Sequence, residues 1–133
     1  MMKQADFEVF IMGLPNVQRQ DNFGYAFFFV GDDHRLPFVT IADSDNDYDN
    51  LSNLNRENIF RLNIGVSKET FNNLIADQLN EGIDFSVLNE FQPHPQYSRQ
   101  HFVCILNPVE ENAEKTKQLI IEAHLIAEGR LQR

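Results

Sequence analysis

The stretch Phe60-Arg61-Leu62-Asn63-Ile64-Gly65-Val66, running directly into Ser67-Lys68-Glu69-Thr70-Phe71, constrains the fold of this chain more than any other. Its apolar residues fall at every second position, with Arg61, Asn63 and Gly65 between them, which is the period of a strand that buries one face. Ser67 ends the strand and caps a new helix turn, Glu69 suits the positive end of that helix, and Phe71, Leu74, Ile75 and Leu79 recur at helical spacing. A strand therefore feeds a helix that runs to about Asn80, with Gly82 as its stop. Leu62 and Ile64 point inward. If helices cover one sheet face only, Arg61 and Asn63 project from the other into solvent or into a partner. Gly65 lacks a Cβ, which fits close packing or a bulge better than approach of a ligand.

The rest of the chain arranges itself around this unit. Phe7, Phe10, Ile11 and Leu14 mark a first helix over Asp6 to Leu14, stopped by Gly13-Leu14-Pro15-Asn16. Phe23 to Val30 and Pro37 to Ala42 form a hairpin across the solvated turn Gly31-Asp32-Asp33-His34-Arg35. Phe85, Leu88 and Phe91 give a short helical or irregular piece that faces the core, and Gln92 to Tyr97, with two prolines, is an extended connector. Phe102 to Leu106 is apolar at every position, as in a strand covered on both faces. Asn107-Pro108 ends it, with Asn107 placed to help cap a last amphipathic helix through Leu119, Ile120, Ala123, Ile126 and Ala127 to Gly129; Arg130 to Arg133 is expected to fray.

Composition excludes several classes. At 133 residues and 42% hydrophobic, with 12 Phe, the chain is expected to form one domain over 1–133 around a single core. The single cysteine, Cys104, rules out an internal disulfide, and its apolar neighbours mark it as packing and not as a nucleophile. An acid at Asp6 precedes any apolar run, and Tyr25 to Val30 is far short of a bilayer span of ~20 residues, so a soluble cytoplasmic protein is expected. The net charge of −9 repels phosphate backbones and anionic membranes.

Asp43, Asp45, Asp47 and Asp49 place carboxylates at every second position of one loop. A helix-loop-helix calcium site starting at Asp43 wants glycine sixth and glutamate twelfth, but Tyr48 and Leu54 stand there, so that motif is rejected and the loop reads as a solvated connector with no metal and no cofactor implied, a weaker surface calcium site on its flexible oxygen ligands being the alternative. His94, Tyr97, Arg99 and His101 lie close in sequence without the spacing of a zinc motif. Together with Arg61 and Asn63 they are the candidate ligand-binding surface. His124, beside Glu122 and Glu128, reads as a helix-border residue.

Leu36-Pro37-Phe38-x-Thr40-Ile41, Phe60 to Val66, His94-Pro95-x-Tyr97 and Val103-Cys104-Ile105-Leu106-Asn107-Pro108 together resemble a bacterial family of unknown function, similar in its order of elements to the MmcQ/YjbR-like proteins. The resemblance implies an α+β fold with a small antiparallel sheet of about four strands, helices packed on it in a double-wing arrangement, and a proposed DNA-binding role, with no catalytic residues to carry over. The excess of acid over base argues against that role. Two classes remain: a non-catalytic module that binds a protein or small ligand, and a small hydrolase or metal-assisted enzyme using His94 and His101. No nucleophile elbow, phosphate loop or HExxH motif is present, and the binding module leads.

Overall fold

The structure, a computed structural model, describes residues 2–75, 78 and 82–131. It is an α+β arrangement in which one open antiparallel sheet carries helices on a single face. The strands are β1 (Val17–Asn22), β2 (Tyr25–Val30), β3 (Val39–Ala42), β4 (Arg61–Gly65), β5 (Gln92–Pro93) and β6 (Phe102–Leu106), and the helices are α1 (Gln4–Met12), α2 (Lys68–Ile75) and α3 (Glu110–Leu131). Across the sheet the order is β1-β2-β3-β4-β6-β5, so the expected count of four is corrected to six.

Both added strands lie at edges. β1 is polar and mostly exposed, so no hydrophobic alternation announces it. Its turn does: Phe23 and Gly24 both take positive φ, the two-residue geometry whose twist matches a hairpin, and Phe23 belongs to the turn and not to the strand. β5 contains Pro93, which a sheet tolerates at an edge because its missing N–H then costs no ladder bond.

The register builds the core. Ala26, Ile41, Leu62 and Ile105 form one cross-strand row, and Phe28, Val39, Ile64 and Val103 form the next. Phe7 and Ile11 of α1, Phe71 and Ile75 of α2, and Ala113, Leu119, Ile120, Ala123 and Ala127 of α3 close over these rows as one buried cluster. Alternation in β4 is as expected, with Leu62 and Ile64 inward. Ser67 caps α2 through Oγ, which accepts from Thr70 N–H at 3.1 Å, and Glu122 of α3 receives Ser67 N–H and Thr70 Oγ–H at 2.9 Å each. Leu79 and the expected helix end at Asn80 lie outside the described residues. Gly65 serves close packing: a Cβ there would stand 3.0 Å from the Phe102 ring.

Several local expectations are corrected. α1 begins at Gln4, where Asp6 accepts the N–H of Lys3, and ends at Met12. Residues 84–91 take the irregular of the two expected forms, and Leu88, expected to face the core, is exposed beside Asn89, which turns the chain through positive φ. Asn107 caps no helix; it accepts from Phe60 N–H and donates to the Asn58 carbonyl, pinning the loop before β4. α3 runs through Gly129 to Leu131, while Arg133 lies outside the described residues. His124 is buried, donating from Nε2 to the Pro15 carbonyl at 2.7 Å.

Candidate functional site

The second face of the sheet is where the polar residues of β3 and β4 gather. Phe27, Thr40, Asn63, Cys104 and Gln92 form one row on it, with Tyr25, Ala42, Arg61 and Leu106 beside them. Loops fold over this face. Arg61 and Asn63, expected to project outward, are 0% and 1% exposed.

A guanidinium taken out of water needs a counter-charge and an acceptor for each donor. The loop between β3 and β4 delivers the counter-charge and three of the four bonds, and β4 itself supplies the fourth. Asp49 accepts from Arg61 Nη1 at 3.0 Å and from Nη2 at 2.5 Å, Ser52 Oγ accepts from Nη1 at 3.0 Å, and Asn63 Oδ1 accepts from Nε at 2.7 Å. Tyr25 also donates its hydroxyl to Asp49 and accepts from Asn46. Burial works to raise the Asp49 pKa, yet the bonds and charge of Arg61 outweigh it and hold the carboxyl below its usual range. Burial, then the bond to Asp49, pushes the Tyr25 phenol up to about 12.

The loop is thus a structural partner and not only a solvated connector. Asn46 Oδ1 accepts from the N–H groups of Tyr48 and Asp49, Asp45 accepts from Leu54 N–H, and Asp43 accepts from Gln4. The carboxylates of Asp43, Asp45 and Asp49 are committed to different partners, so these three do not converge on one point as calcium ligands must. Among the described residues no group of three or more His, Cys, Asp or Glu side chains is placed to hold a metal ion.

His94 completes the floor. Its Nδ1 accepts the backbone N–H groups of Gln96 at 3.0 Å and Tyr97 at 3.1 Å, the turn that the His94-Pro95 pair makes before β6. Burial, and then the Arg61 charge, lowers its pKa to about 3, so the ring is neutral at any ordinary pH. Cys104 is wholly buried and its thiol is pushed up to about 12 by burial, as expected of packing.

Above this floor opens a cavity of about 750 Å³. Thr40, Asn63, Asp49 and His94 supply polar atoms at its base; Tyr25, Phe27 and Phe102 wall it from the sheet; Leu36 and Pro37 close one side. Phe23, Tyr48 and Tyr97 line it while remaining 78%, 88% and 53% exposed.

Of the residues singled out from sequence, Asn63, His94 and Tyr97 meet at the cavity, and Arg61 lies beneath it. Arg99 and His101 do not line it. Arg99 is exposed on the short turn Ser98–Gln100, and His101, in a left-handed conformation after that turn, packs its ring against Phe71 of α2, at 5.6 Å between centroids. The two histidines of the enzymatic reading are therefore not brought into one pocket. Sequence reasoning missed Asp49, Ser52, Thr40, Tyr25, Phe27 and Phe102. Alternation was the available signal for three of these: Tyr25 and Phe27 share a face opposite Phe28, and Thr40 falls between Val39 and Ile41.

A family model described as a family of unknown function, DUF6194, matches residues 2–133, and the chain belongs to this family. Comparison with curated proteins gives no match, and comparison with solved structures gives none. No helix among the described residues is long and apolar enough to cross a membrane.

Proposed function

We propose that this family member is a non-catalytic binding module of one cytoplasmic domain, and that the cavity on the second sheet face receives a small molecule. The observation that carries the reading is the cavity itself: about 750 Å³, within the range of ligand pockets, with aromatic walls and a few convergent polar groups at the base. Three large aromatic side chains left in solvent around one concave mouth support it, since exposed apolar surface gathered at one place marks a binding surface. The base is also pre-organised. Arg61, Asp49, Asn63 and Thr40 hold one another by bonds of 2.5 to 3.0 Å, so a ligand need not order them. The MmcQ/YjbR-like double-wing arrangement belongs to the same proposal, supported by the order of helix, hairpin, strand and closing helix around an antiparallel sheet. The excess of 20 acidic over 11 basic residues favours a small ligand over duplex DNA.

A broad ligand-stabilisation screen tests this. A compound at a hundred times its Kd adds roughly 2.7 kcal/mol of stability, a shift of several degrees in Tm. Hits are expected to raise Tm in the unaltered protein and to lose that effect in Tyr97→Ala, whose half-exposed ring carries little of the core. Hits indifferent to Tyr97→Ala and Phe27→Ala alike would place binding elsewhere and overturn the reading.

A further inference from the structure

The floor of the cavity has more hydrogen-bond donors than acceptors, and Arg61 fixes the direction of the chain that makes it so. A guanidinium only donates. Arg61 Nε–H must therefore meet the amide oxygen of Asn63, at 2.7 Å, which turns Nδ2 toward Thr40 Oγ1, at 2.8 Å. Thr40 is thereby an acceptor in that bond, and neither its own hydroxyl hydrogen nor the second Nδ2 hydrogen of Asn63 finds an acceptor among the described residues. The donor character of a buried arginine is passed through Asn63 and Thr40, both of which line the cavity.

His94 arrives at the same result by another route. Two backbone N–H groups occupy Nδ1, so the hydrogen of the neutral ring sits on Nε2. The one polar contact of Nε2 among the described residues, Arg61 Nη2 at 3.4 Å, is itself a donor and cannot receive it. The acceptors of the floor are in use: both Asp49 oxygens receive Arg61, and one also receives Tyr25, while the unpaired buried acceptor of this sheet face, Gln92 Oε1, belongs to a residue that does not line the cavity.

Charge narrows the ligand further. Arg61 is paired with Asp49, and Arg35 at the rim is forked onto Asp33 at 2.8 and 2.9 Å, so an anionic head meets no uncommitted cation among the described lining residues and faces Asp47 and Asp49. A cationic head would oppose the floor donors. Phe27, Tyr97 and Phe102 line the cavity, Tyr97 and Phe102 meeting edge to face at 6.4 Å between centroids, and such aromatic walls suit an aromatic partner.

We propose that the cavity takes a neutral, planar aromatic compound bearing a carbonyl, its oxygen directed at Thr40, Asn63 and His94 and its ring held among Phe27, Tyr97 and Phe102; this rests on the small-molecule reading above. Four probes that share one ring and differ in the head test it by calorimetric and NMR titration of the full chain: naphthamide, naphthoate, naphthylmethylammonium and naphthalene. Naphthamide is expected to bind about tenfold or more tighter than each of the others, the size of one or two net hydrogen bonds. Thr40→Val, close in shape, is expected to cut the naphthamide advantage over naphthalene several-fold and to leave naphthalene itself unchanged. Tightest binding by naphthoate or by the ammonium, or an advantage untouched by Thr40→Val, overturns the proposal with small-molecule binding intact. Binding by none of the four overturns it too, and the broad screen then decides the wider reading by itself. Should Thr40→Val not fold, nitrogen-detected NMR of His94 in the unaltered protein serves: a proton on Nε2 whose resonance moves with naphthamide is expected, and a proton on Nδ1 would refute the donor chain's second arm and with it the proposal.

Discussion

Asp49→Ala isolates the contact that allows a charged residue to sit at the centre of this sheet. The substitution leaves the Arg61 guanidinium fully buried and removes two charge-assisted bonds, at 3.0 and 2.5 Å, while those to Ser52 and Asn63 remain. Charge-assisted bonds are worth roughly 1.5–3 kcal/mol each, and removing one partner of a buried pair costs about 3–5 kcal/mol because the other charge is left without compensation. We expect a loss in that range by urea unfolding, a large part of the ~5–15 kcal/mol that holds a domain together. Arg61→Met is expected to cost less when added to Asp49→Leu than alone, since an apolar pair of similar volume is tolerated where a lone charge is not. The resulting double-mutant cycle is expected to show coupling above ~2 kcal/mol. An Asp49→Ala loss under ~1 kcal/mol, or an additive cycle, would mean that Arg61 reaches water and that the second face is not closed.

Leu62→Ala is expected to cost ~2–5 kcal/mol, because Leu62 is fully buried in the row from Ala26 to Ile105; a loss under ~1 kcal/mol would contradict the register. Gly65→Ala forces a Cβ to within 3.0 Å of the Phe102 ring and is expected to cost ~1–3 kcal/mol, with a neutral result showing that the ring gives way. Stability is expected to fall as pH drops from about 6.5 towards 3, because the unfolded chain protonates His94 over that window while the folded ring, with its pKa lowered to about 3, does not. The limiting slope is about 1.4 kcal/mol per pH unit, and His94→Gln should flatten the upper part of the curve. Below the ordinary carboxylate range Asp49 adds to the loss: its folded pKa is lowered, so its stabilisation is present above the unfolded value of about 3.9 and disappears as pH falls through the folded one.

The helix-covered face was legible because alternation is a local signal: Leu62 and Ile64 against Arg61 and Asn63 state which side is apolar without reference to anything distant. The same signal misplaced Arg61. In a strand with one wet face an arginine between two apolar residues looks solvated, and its burial depends on Asp49 and Ser52, which sequence spacing does not tie to β4. Asp49 was hidden in turn by its neighbours, since among aspartates at alternate positions nothing distinguishes the one that folds inward. Of the residues close to one another in sequence, His94 and Tyr97 line the cavity, while His101, itself left-handed, packs on Phe71 on the other side of the sheet, a separation that spacing alone does not reveal. β1 escaped for want of any apolar period.

Amide and methyl NMR of the unaltered protein, recorded with and without a compound found by the stabilisation screen, tests the binding site most directly. Saturable shifts are expected, concentrated on Thr40, Asn63, His94, Tyr97 and Phe102, which line the cavity. Shifts confined to the helix face, around Phe71 and Leu119, or scattered without saturation would contradict it.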